Sequence, residues 1–334
     1  MTARLALAAA LSLVAGCGGD DDGNGGGPDG GGGGDDGGGG GGAWEQLADL
    51  PSGPLQETAL VEVGGLLYVL GGIDEDGLTV ASVLIYAPSD DSWDSGPDLP
   101  ATSHHINAAA VDGTIYVVGS LEPDFTPRAA VWSWTPGEEA WSIDRTPMPA
   151  PARGAAAVGA VGGSIVVAGG FTAAGSSSVV SVYDPGADEW DESPDPLPMP
   201  IDHGTGQVAD GDLYLIGGRS NGIVAVSAEV WRYDDGSWTP RAAMPTARGG
   251  IAAGVIGGRI VVVGGEGNGD AASGVFPQTE VYDPAADQWS SLEDMRTPRH
   301  GMAAAGLGSD LYVPGGADVQ GFGAVATHEV LHVD

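Results

Sequence analysis

Apolar and polar positions along this chain repeat a unit of short strands joined by glycine pairs. In the clearest unit, a small apolar run from Gly250 to Ile256 is followed by Gly257-Gly258. A second apolar run, from Arg259 to Val263, ends in Gly264-Gly265. Two apolar runs joined by two glycines predict a tight β-hairpin, because type I′ and II′ turns need positive φ in the turn.

The glycine pair that ends the second strand recurs six times, at intervals of 47 to 51 residues. The pairs are Gly71-Gly72, the degenerate Gly119-Ser120, Gly169-Gly170, Gly217-Gly218, Gly264-Gly265 and Gly315-Gly316. After each of the first five pairs, a third strand ends in an aromatic residue and an outer strand carries a tryptophan. These residues are Tyr86, Trp134, Tyr183, Tyr233 and Tyr282, then Trp93, Trp141, Trp190, Trp238 and Trp289. A four-stranded repeat of this length predicts the blade of an all-β propeller.

These residues resemble the Kelch repeat, which the segments MPAPARGAAAVGAVGGSIVVAGG and MPTARGGIAAGVIGGRIVVVGG display most fully. The resemblance covers residues 44–334 and implies a six-bladed Kelch-type β-propeller. The sixth repeat ends with a third strand at 327–334, whereas residues 43–51 match the outer strand of the fifth repeat. We therefore expect an N-terminal strand that contains Trp44 to complete the last blade and to cover two open sheet edges.

The first 43 residues fit no blade. Residues 1–16 predict a secretory signal peptide, whose apolar core is too short to span a bilayer as a mature helix. Cys17, the only cysteine, follows Ala15-Gly16 in a pattern similar to a bacterial lipobox. Residues 17–43 then predict a lipidated cysteine followed by a flexible tether rich in Gly and Asp. The expected location is the bacterial cell envelope, lipid-anchored at the outer membrane and facing the periplasm or the surface.

Charge and missing motifs exclude several classes of function. The net charge is -35 and all 11 basic side chains are arginines, so nucleic acid and anionic membrane surfaces are poor partners. The membrane would be reached only through the lipid anchor, and we expect a monomer. With its lone cysteine taken by lipid, the chain lacks the Tyr-Cys pair of copper-radical Kelch oxidases. It also lacks a nucleophile turn, a His-Glu-x-x-His motif and a phosphate loop, which predicts no cofactor, no metal and no catalytic residue.

One group of basic residues stands out in this acidic chain. Sixteen residues before a glycine pair, three blades carry an arginine, and four histidines fall within the next two positions of three blades. Blade 1 has Gln56 and Glu57 in their place. The tentative ligand-binding residues are Arg153, Arg248 and Arg299, with His104, His105, His203 and His300, and with Arg219 directly after the fourth glycine pair.

These residues have three interpretations. The arginines can be structural, bonding to neighbouring carbonyls and carboxylates. Alternatively, they can form an anion-binding channel mouth, in which guanidinium forks and imidazoles hold a carboxylate or sulfate. A metal site made of His105, His203 and His300 is not expected, because alternate blades would hold these side chains apart across a wide channel.

Two classes of function remain open. The favoured one is a non-catalytic recognition module that binds a protein, a glycan, or an anionic small molecule or polysaccharide. Its binding face would carry the loops 73–80, 121–128, 266–276 and 317–323. The alternative is a sugar-acid epimerase or mutarotase, which similarity to exported bacterial Kelch proteins acting on sialic acid implies. That chemistry needs a general acid or base, for which Glu57 or a histidine of the mouth is the candidate.

Overall fold

The computed structural model describes residues 42–333. Over this range the protein is all-β, and six small sheets surround a central channel, as the repeats predict. No helix among these residues is long and apolar enough to cross a membrane. The signal peptide at 1–16, the lipidation site Cys17 and nearly all of the tether at 17–43 lie outside the described residues and stay predictions.

Each sheet is an antiparallel blade with its first strand beside the channel. Blade 1 consists of β3 (Ala59–Val63), β4 (Leu66–Leu70), β6 (Val83–Ala87) and β7 (Ser92–Ser95). Blade 2 consists of β8 (Ala108–Val111), β9 (Thr114–Leu121) and β10 (Pro127–Trp134). Blade 3 consists of β11 (Ala157–Val161), β12 (Ser164–Ala168), β15 (Val180–Asp184) and β16 (Glu189–Asp191). Two further two-stranded sheets pair β2 (Leu55–Gln56) with β5 (Ile73–Asp74), and β13 (Phe171–Thr172) with β14 (Gly175–Ser176).

The remaining blades follow the same plan. Blade 4 consists of β17 (Thr205–Ala209), β18 (Asp212–Ile216), β19 (Val230–Asp234) and β20 (Ser237–Pro240). Blade 5 consists of β21 (Ala252–Ile256), β22 (Arg259–Val263), β23 (Thr279–Asp283) and β24 (Gln288–Ser291). Blade 6 consists of β25 (Ala305–Leu307), β26 (Asp310–Pro314), β27 (His328–Val333) and β1 (Gly42–Gln46). The inner strands β25 and β3 are in contact, so the six blades form a closed circle.

The N-terminal strand completes blade 6, which confirms the predicted closure. β1 pairs antiparallel with β27, with Trp44 opposite Leu331. Trp44 is buried, and its indole Nε1 donates to the carbonyl of Glu293 at 3.0 Å. The strand begins at Gly42, two residues before the predicted start of the propeller. One end of the described chain is thereby fixed to the other.

The predicted hairpin turns are present in all six blades. Each inner hairpin has a two-residue loop, as Val63 pairs with Leu66 around Gly64-Gly65. Both residues of that turn have positive φ, 63° and 84°, which fits a type I′ turn. Blade 2 differs further along: Ser120 replaces the second glycine, so β9 continues to Leu121 instead of ending at the pair. Its outer Trp141 is buried, but beside it only Ser142 bridges the sheet.

Tryptophan and tyrosine join neighbouring blades at the seams between them. Each of six indole Nε1 groups donates to a carbonyl of the preceding blade at 2.8 to 3.1 Å. These bonds run from Trp44, Trp93, Trp141, Trp190, Trp238 and Trp289 to Glu293, Ala48, Pro97, Thr146, Asp195 and Ala242. Tyr86, Tyr183 and Tyr282 donate to Asp91, Asp188 and Asp287, and these carboxylates accept an amide of the preceding blade. The repeated aromatic residues therefore hold the circle of blades together.

Candidate functional site

Six residues, one from each blade, form a closed ring of backbone hydrogen bonds across the channel. Each lies 14 residues before the first glycine of its pair, and we call them the mouth ring. They are Glu57, His105, Ala155, His203, Gly250 and Gly301. Each amide donates to the carbonyl of the ring residue in the preceding blade at 2.5 to 3.0 Å, and Glu57 closes the circle by donating to Gly301. All six have φ between 50° and 61°, a conformation that glycine and histidine adopt more readily than most residues.

A second pairing places side chains around the ring. The residue before each ring position pairs with the residue after the glycine pair, as Asp202 does with Arg219 and His300 with Ala317. Arg219 and Glu266 occupy this second position in adjacent blades, so both reach the mouth. Ring side chains surround a cavity of about 90 Å³, and Glu57 and His105 also line an outer cavity of about 130 Å³.

Glycine at position 301 leaves space for the carboxylate of Glu57. A Cβ atom added to Gly301 would lie 2.5 Å from Oε1 of Glu57, much closer than such atoms approach. Oε2 of the same carboxylate lies 3.2 Å from Nε2 of His105. On the far side of that imidazole, Nδ1 of His105 is 2.5 Å from Nδ1 of His104, whose Nε2 is 2.9 Å from the carbonyl of Glu122. The carboxylate and two imidazoles thus form a short chain from the ring outwards.

Arg219 is bound on all three of its nitrogens. Its Nε donates to Oδ1 of Asp202 at 3.2 Å, and Nη1 pairs with the carboxylate of Glu266. Nη2 lies 2.8 Å from Nε2 of His203, whose Nδ1 is 2.5 Å from the carboxylate of Asp202. The guanidinium therefore sits between two carboxylates and an imidazole of the protein, which use three of its five N–H groups.

His300 lies beside the ring and lines the outer cavity, between two carboxylates. It is buried, and its Nε2 is 3.0 Å from the carbonyl of Val319. Its Nδ1 is 3.5 Å from Glu266 and 3.8 Å from Glu57, and it has no hydrogen-bond partner among the described residues. Together with the contacts of Arg219, this position makes the floor of the mouth a connected set of acids and imidazoles.

The surroundings of the mouth keep its own carboxylates ionised. Burial would raise the pKa of Glu57, but His105, His203, His300 and Arg219 together lower it to about 2. Burial would also raise the pKa of Asp202, but its hydrogen bonds with His203 and Ser176 and the charges of His203 and Arg219 together lower it. Burial lowers the pKa of His104, and that of His105 falls well below its ordinary value. At neutral pH these two carboxylates are charged and these two imidazoles are neutral.

Three of the predicted ligand-binding arginines do not face the channel, which corrects their expected placement. Arg153, Arg248 and Arg299 have no exposed surface. They extend into the blades and bond to carbonyls and to polar side chains at strand positions. Arg248 pairs with Glu280 at 2.5 Å, Arg299 with Glu329 at 3.2 Å, and Arg153 donates to Ser181 at 3.0 Å. Burial lowers the pKa of Arg153 and of Arg299 to about 10, still well above neutral pH. Their surroundings match the structural interpretation.

The histidines are closer together than the sequence led us to expect. The imidazole centres of His105 and His203 are 4.8 Å apart, although Ala155 of the intervening blade separates them along the ring. The expectation of a wide channel is therefore wrong at this level, because the backbone ring narrows it. Asp202 and Glu266 were absent from the predicted site. Glu266 stands directly after a glycine pair, the same position as Arg219, and that parallel is the signal that could have identified it.

Exposed apolar side chains surround the mouth. Of the six large apolar side chains that are exposed among the described residues, five lie on the loops of this face. They are Leu78, Phe125, Val224, Val319 and Phe322, with exposures from 41% to 78%. Phe125 and Phe322 also line the outer cavity together with Glu57 and Arg219. We call these five residues the apolar rim. The sixth, Ile143, lies beyond Trp141 at the outer edge of blade 2 and is 61% exposed.

A six-bladed propeller whose mouth carries charged and apolar groups defines a class of repeat scaffold, and comparisons with known proteins identify the family. The KLHDC2/KLHL20/DRC7 Kelch-repeats domain matches residues 103–316, and the Kelch motif matches residues 55–100. The chain belongs to the Kelch-repeat family. Kelch propellers generally mediate protein interactions.

The chain is similar to Kelch-like protein terF of Aspergillus terreus, with 33% identity over 302 residues. It is also 35% identical over 145 residues to the F-box/kelch-repeat protein SKIP30 of Arabidopsis thaliana. These matches cover 84% and 39% of this chain, and 66% and 40% of the relatives, so the chain spans less than two thirds of either. The solved structure of YjhT superposes with a TM-score of 0.71 over 84% of this chain and 95% of that one, at 14% identity. At this identity the likeness shows the shared fold.

Proposed function

We propose that this Kelch propeller is a non-catalytic recognition module that binds a protein segment at the channel mouth. The observation that carries the proposal is the apolar rim, since five of the six exposed large apolar side chains in the described range lie on one face. Phe125 and Phe322 line one cavity with charged residues, and exposed apolar groups bordered by polar residues are typical of protein interaction sites. Leu78, Val224 and Val319 are aliphatic, which favours apolar side chains of a protein over the stacked faces of a glycan.

Charge indicates the composition of the partner segment. The chain carries a net charge of -35, and the carboxylates of Glu57 and Asp202 are held ionised at the mouth. A segment that brings Lys or Arg side chains would be steered towards this face, whereas an acidic segment would be repelled. We therefore propose a partner segment that combines apolar residues, for the rim, with at least one basic residue.

The geometry does not favour the predicted anionic ligand or the sugar-acid epimerase. Both need a cationic group that can hold a carboxylate at the mouth. Arg219 already binds Asp202, Glu266 and His203, and the three strand-start arginines are buried in the blades. An acidic sugar held by Arg219 would thus lie against the carboxylates of Asp202 and Glu266, which would repel it. We propose no catalytic role for Glu57.

We also propose that the module is exported and anchored by lipid at Cys17, at the surface of a bacterial envelope. The signal-like apolar run before Ala15-Gly16-Cys17 and the Gly/Asp-rich stretch after it support this location. Changing Cys17 to Ser is expected to abolish incorporation of labelled fatty acid and to release the protein from the membrane fraction. Labelling that persists in the Cys17→Ser protein would refute the anchor and would leave the binding proposal untouched.

The binding proposal is tested by selecting displayed random peptides against the immobilised full chain. Enriched peptides are expected to combine apolar and basic residues and to lose about tenfold or more in affinity when Phe125 and Phe322 are both changed to Asp. Burying one aromatic ring contributes about 1.5 to 3 kcal/mol, which corresponds to a loss of this size. The matched control is Ile143→Asp, which changes an equally exposed apolar residue away from the mouth. Enriched peptides that bind all three proteins equally would place recognition elsewhere.

A further inference from the structure

We propose that Glu57, His105 and His203 of the mouth ring bind a divalent transition-metal ion, with Zn²⁺ as the best match to the ligand set. This inference goes beyond recognition by the apolar rim, since it concerns the floor of the mouth. One ligand atom from each of the three residues lies within 4.8 Å of the other two. Two imidazoles and one carboxylate form a known zinc ligand set, and three protein ligands leave a coordination position open.

The distance between His105 and Glu57 already suits a shared metal ion. Two ligands at about 2.0 to 2.1 Å from Zn²⁺, separated by the tetrahedral angle, lie roughly 3.3 Å apart. Nε2 of His105 and Oε2 of Glu57 are 3.2 Å apart. Both residues belong to the hydrogen-bonded ring, so their backbone positions are fixed before any ion arrives. Only the side chain of His203 has to move inwards.

Hydrogen bonds around His105 direct a lone pair towards that carboxylate. The carbonyl of Glu122 can only accept, so Nε2 of His104 is the donor in that bond. In neutral His104, Nδ1 is then an acceptor, and the proton shared between the two histidines belongs to Nδ1 of His105. A neutral His105 therefore presents an unprotonated Nε2 to a carboxylate oxygen. Two electron pairs face each other across 3.2 Å, an arrangement that a bound cation would stabilise.

The second metal-binding imidazole has the outer contact that zinc-bound histidines usually make. Nδ1 of His203 lies 2.5 Å from Oδ1 of Asp202, which fixes the proton on Nδ1 and leaves Nε2 as the ligand atom. Nε2 at present accepts from Nη2 of Arg219 at 2.8 Å. Metal binding exchanges that single bond for coordination, while Nε and Nη1 of Arg219 keep Asp202 and Glu266.

The open coordination position has space on both sides of the ring. His105 and Glu57 line both the ring cavity and the outer cavity, whereas His203 lines only the first. An ion held by the three residues would thus be reachable from the mouth. Its fourth ligand would be water or an oxygen or nitrogen atom of an incoming molecule.

The proposal is tested by titrating the metal-free full chain with Zn²⁺ in a calorimeter, and with Co²⁺ while recording visible absorption. Excess Mg²⁺ is added to both titrations, so that weak binding of Zn²⁺ or Co²⁺ by the carboxylates of the Asp-rich N-terminal stretch does not obscure the site. We expect one equivalent of Zn²⁺ per chain and the intense Co²⁺ bands of a four-coordinate site. His105→Ala and His203→Ala are each expected to weaken binding by about 100-fold or more, since loss of an outer contact alone costs 10- to 100-fold.

The fold supplies suitable controls. Ala155 occupies the same ring position with φ of 52°, which shows that alanine fits there. Glu57→Gln keeps the shape of the side chain and removes the anionic ligand, so it should also abolish the site in a folded ring. His332→Ala removes a histidine that contacts Asp310 and Glu45 on the outer edge of blade 6, and it should bind Zn²⁺ as the parent does. No saturable binding by the parent, or equal binding by the ring variants, would overturn the proposal.

Discussion

The buried arginines of the blades and the mouth ring use polar residues for opposite purposes, although the two sets lie only two residues apart in sequence. Arg153, Arg248 and Arg299 are buried in the blades, where carbonyls and polar side chains occupy most of their nitrogens. Two residues later, the corresponding ring positions hold Ala155, Gly250 and Gly301, which have no polar side chain. In these three blades, a structural arginine is therefore followed by a ring residue that has no polar side chain.

The other three blades show the reverse arrangement. Glu57, His105 and His203 supply the polar side chains of the ring, and Leu55, Ser103 and Ile201 stand where the arginines would be. The ring backbone is the same in all six blades, so the difference lies entirely in the side chains. The comparison teaches that the charge of the buried arginines stabilises the fold, whereas charge in the ring is available for binding. The predictions below test that division, from the largest expected effect to the smallest.

Removing a buried arginine should destabilise the propeller strongly. Arg248→Met leaves the carboxylate of Glu280 buried without its partner, and breaking a buried pair in this way costs about 3 to 5 kcal/mol. The free energy of unfolding, measured with guanidinium chloride, reports the loss. Arg232→Met is the control, because that arginine pairs with Asp212 at a more exposed site and should cost about 1 kcal/mol or less. If the loss of unfolding free energy at Arg248 is no larger than at Arg232, buried and surface arginines do not differ in their contribution to stability.

Acid should weaken the seam between blades 6 and 1 through His328. This imidazole is buried against Tyr86, and burial lowers its pKa to about 4. In the unfolded chain its pKa is about 6.5, so the unfolded state binds the proton more readily between these values. The stabilisation is complete above pH 6.5, is lost as the pH falls towards 4, and amounts to about 3 kcal/mol. The difference in unfolding free energy between the parent and His328→Phe should follow that curve. A difference independent of pH would mean that His328 charges freely in the folded protein.

Sequence reasoning predicted the propeller because its signals are local and repeated. Glycine pairs such as Gly64-Gly65 require positive φ, and Trp44 matched the outer strands of other blades, so turns and closure followed from the residues alone. Each signal needed only its own blade or a comparison between blades. Because the pattern recurs six times, a single deviation such as Ser120 could still be recognised as a glycine-pair position.

The candidate site was predicted only in part, since it depends on where neighbouring blades place their side chains. The sequence marked the window that contains both Arg248 and His203, but it could not tell that the first residue is buried in a blade and the second faces the ring. Nor could it show that backbone hydrogen bonds narrow the channel until His105 and His203 meet. The direction in which a side chain points and its distance from side chains of other blades depend on how the blades close into a circle, and no single repeat encodes them.

A smaller effect is expected from the tyrosine contacts of the seams. Tyr183→Phe removes the hydroxyl that donates to Asp188, a carboxylate that also accepts the amide of Thr146 from the preceding blade. A hydrogen bond to a charged group contributes about 1.5 to 3 kcal/mol, and the lower end applies because water reaches Asp188. Tyr233→Phe is the matched control, since that tyrosine packs on Trp238 at the same point of blade 4. Chemical denaturation should separate the two variants. Equal losses would show that packing, and not the hydroxyl, matters at this position.

The smallest change in stability is expected at the ring itself. His105→Ala keeps the backbone bonds to Glu57 and Ala155, and alanine already occupies an equivalent ring position at residue 155 with φ of 52°. It removes an imidazole nitrogen that faces a carboxylate oxygen at 3.2 Å and the hydrogen bond to Nδ1 of His104, a net loss of about 1 kcal/mol. In the presence of EDTA, the free energy of unfolding should change by about 1 kcal/mol or less, well below the loss at Arg248. The same measurement with Zn²⁺ should separate the parent from the variant, because only the parent gains stability from a bound ion. If His105→Ala costs as much as Arg248→Met without metal, His105 belongs with the structural residues of the seams, and the ring is no longer a distinct binding element.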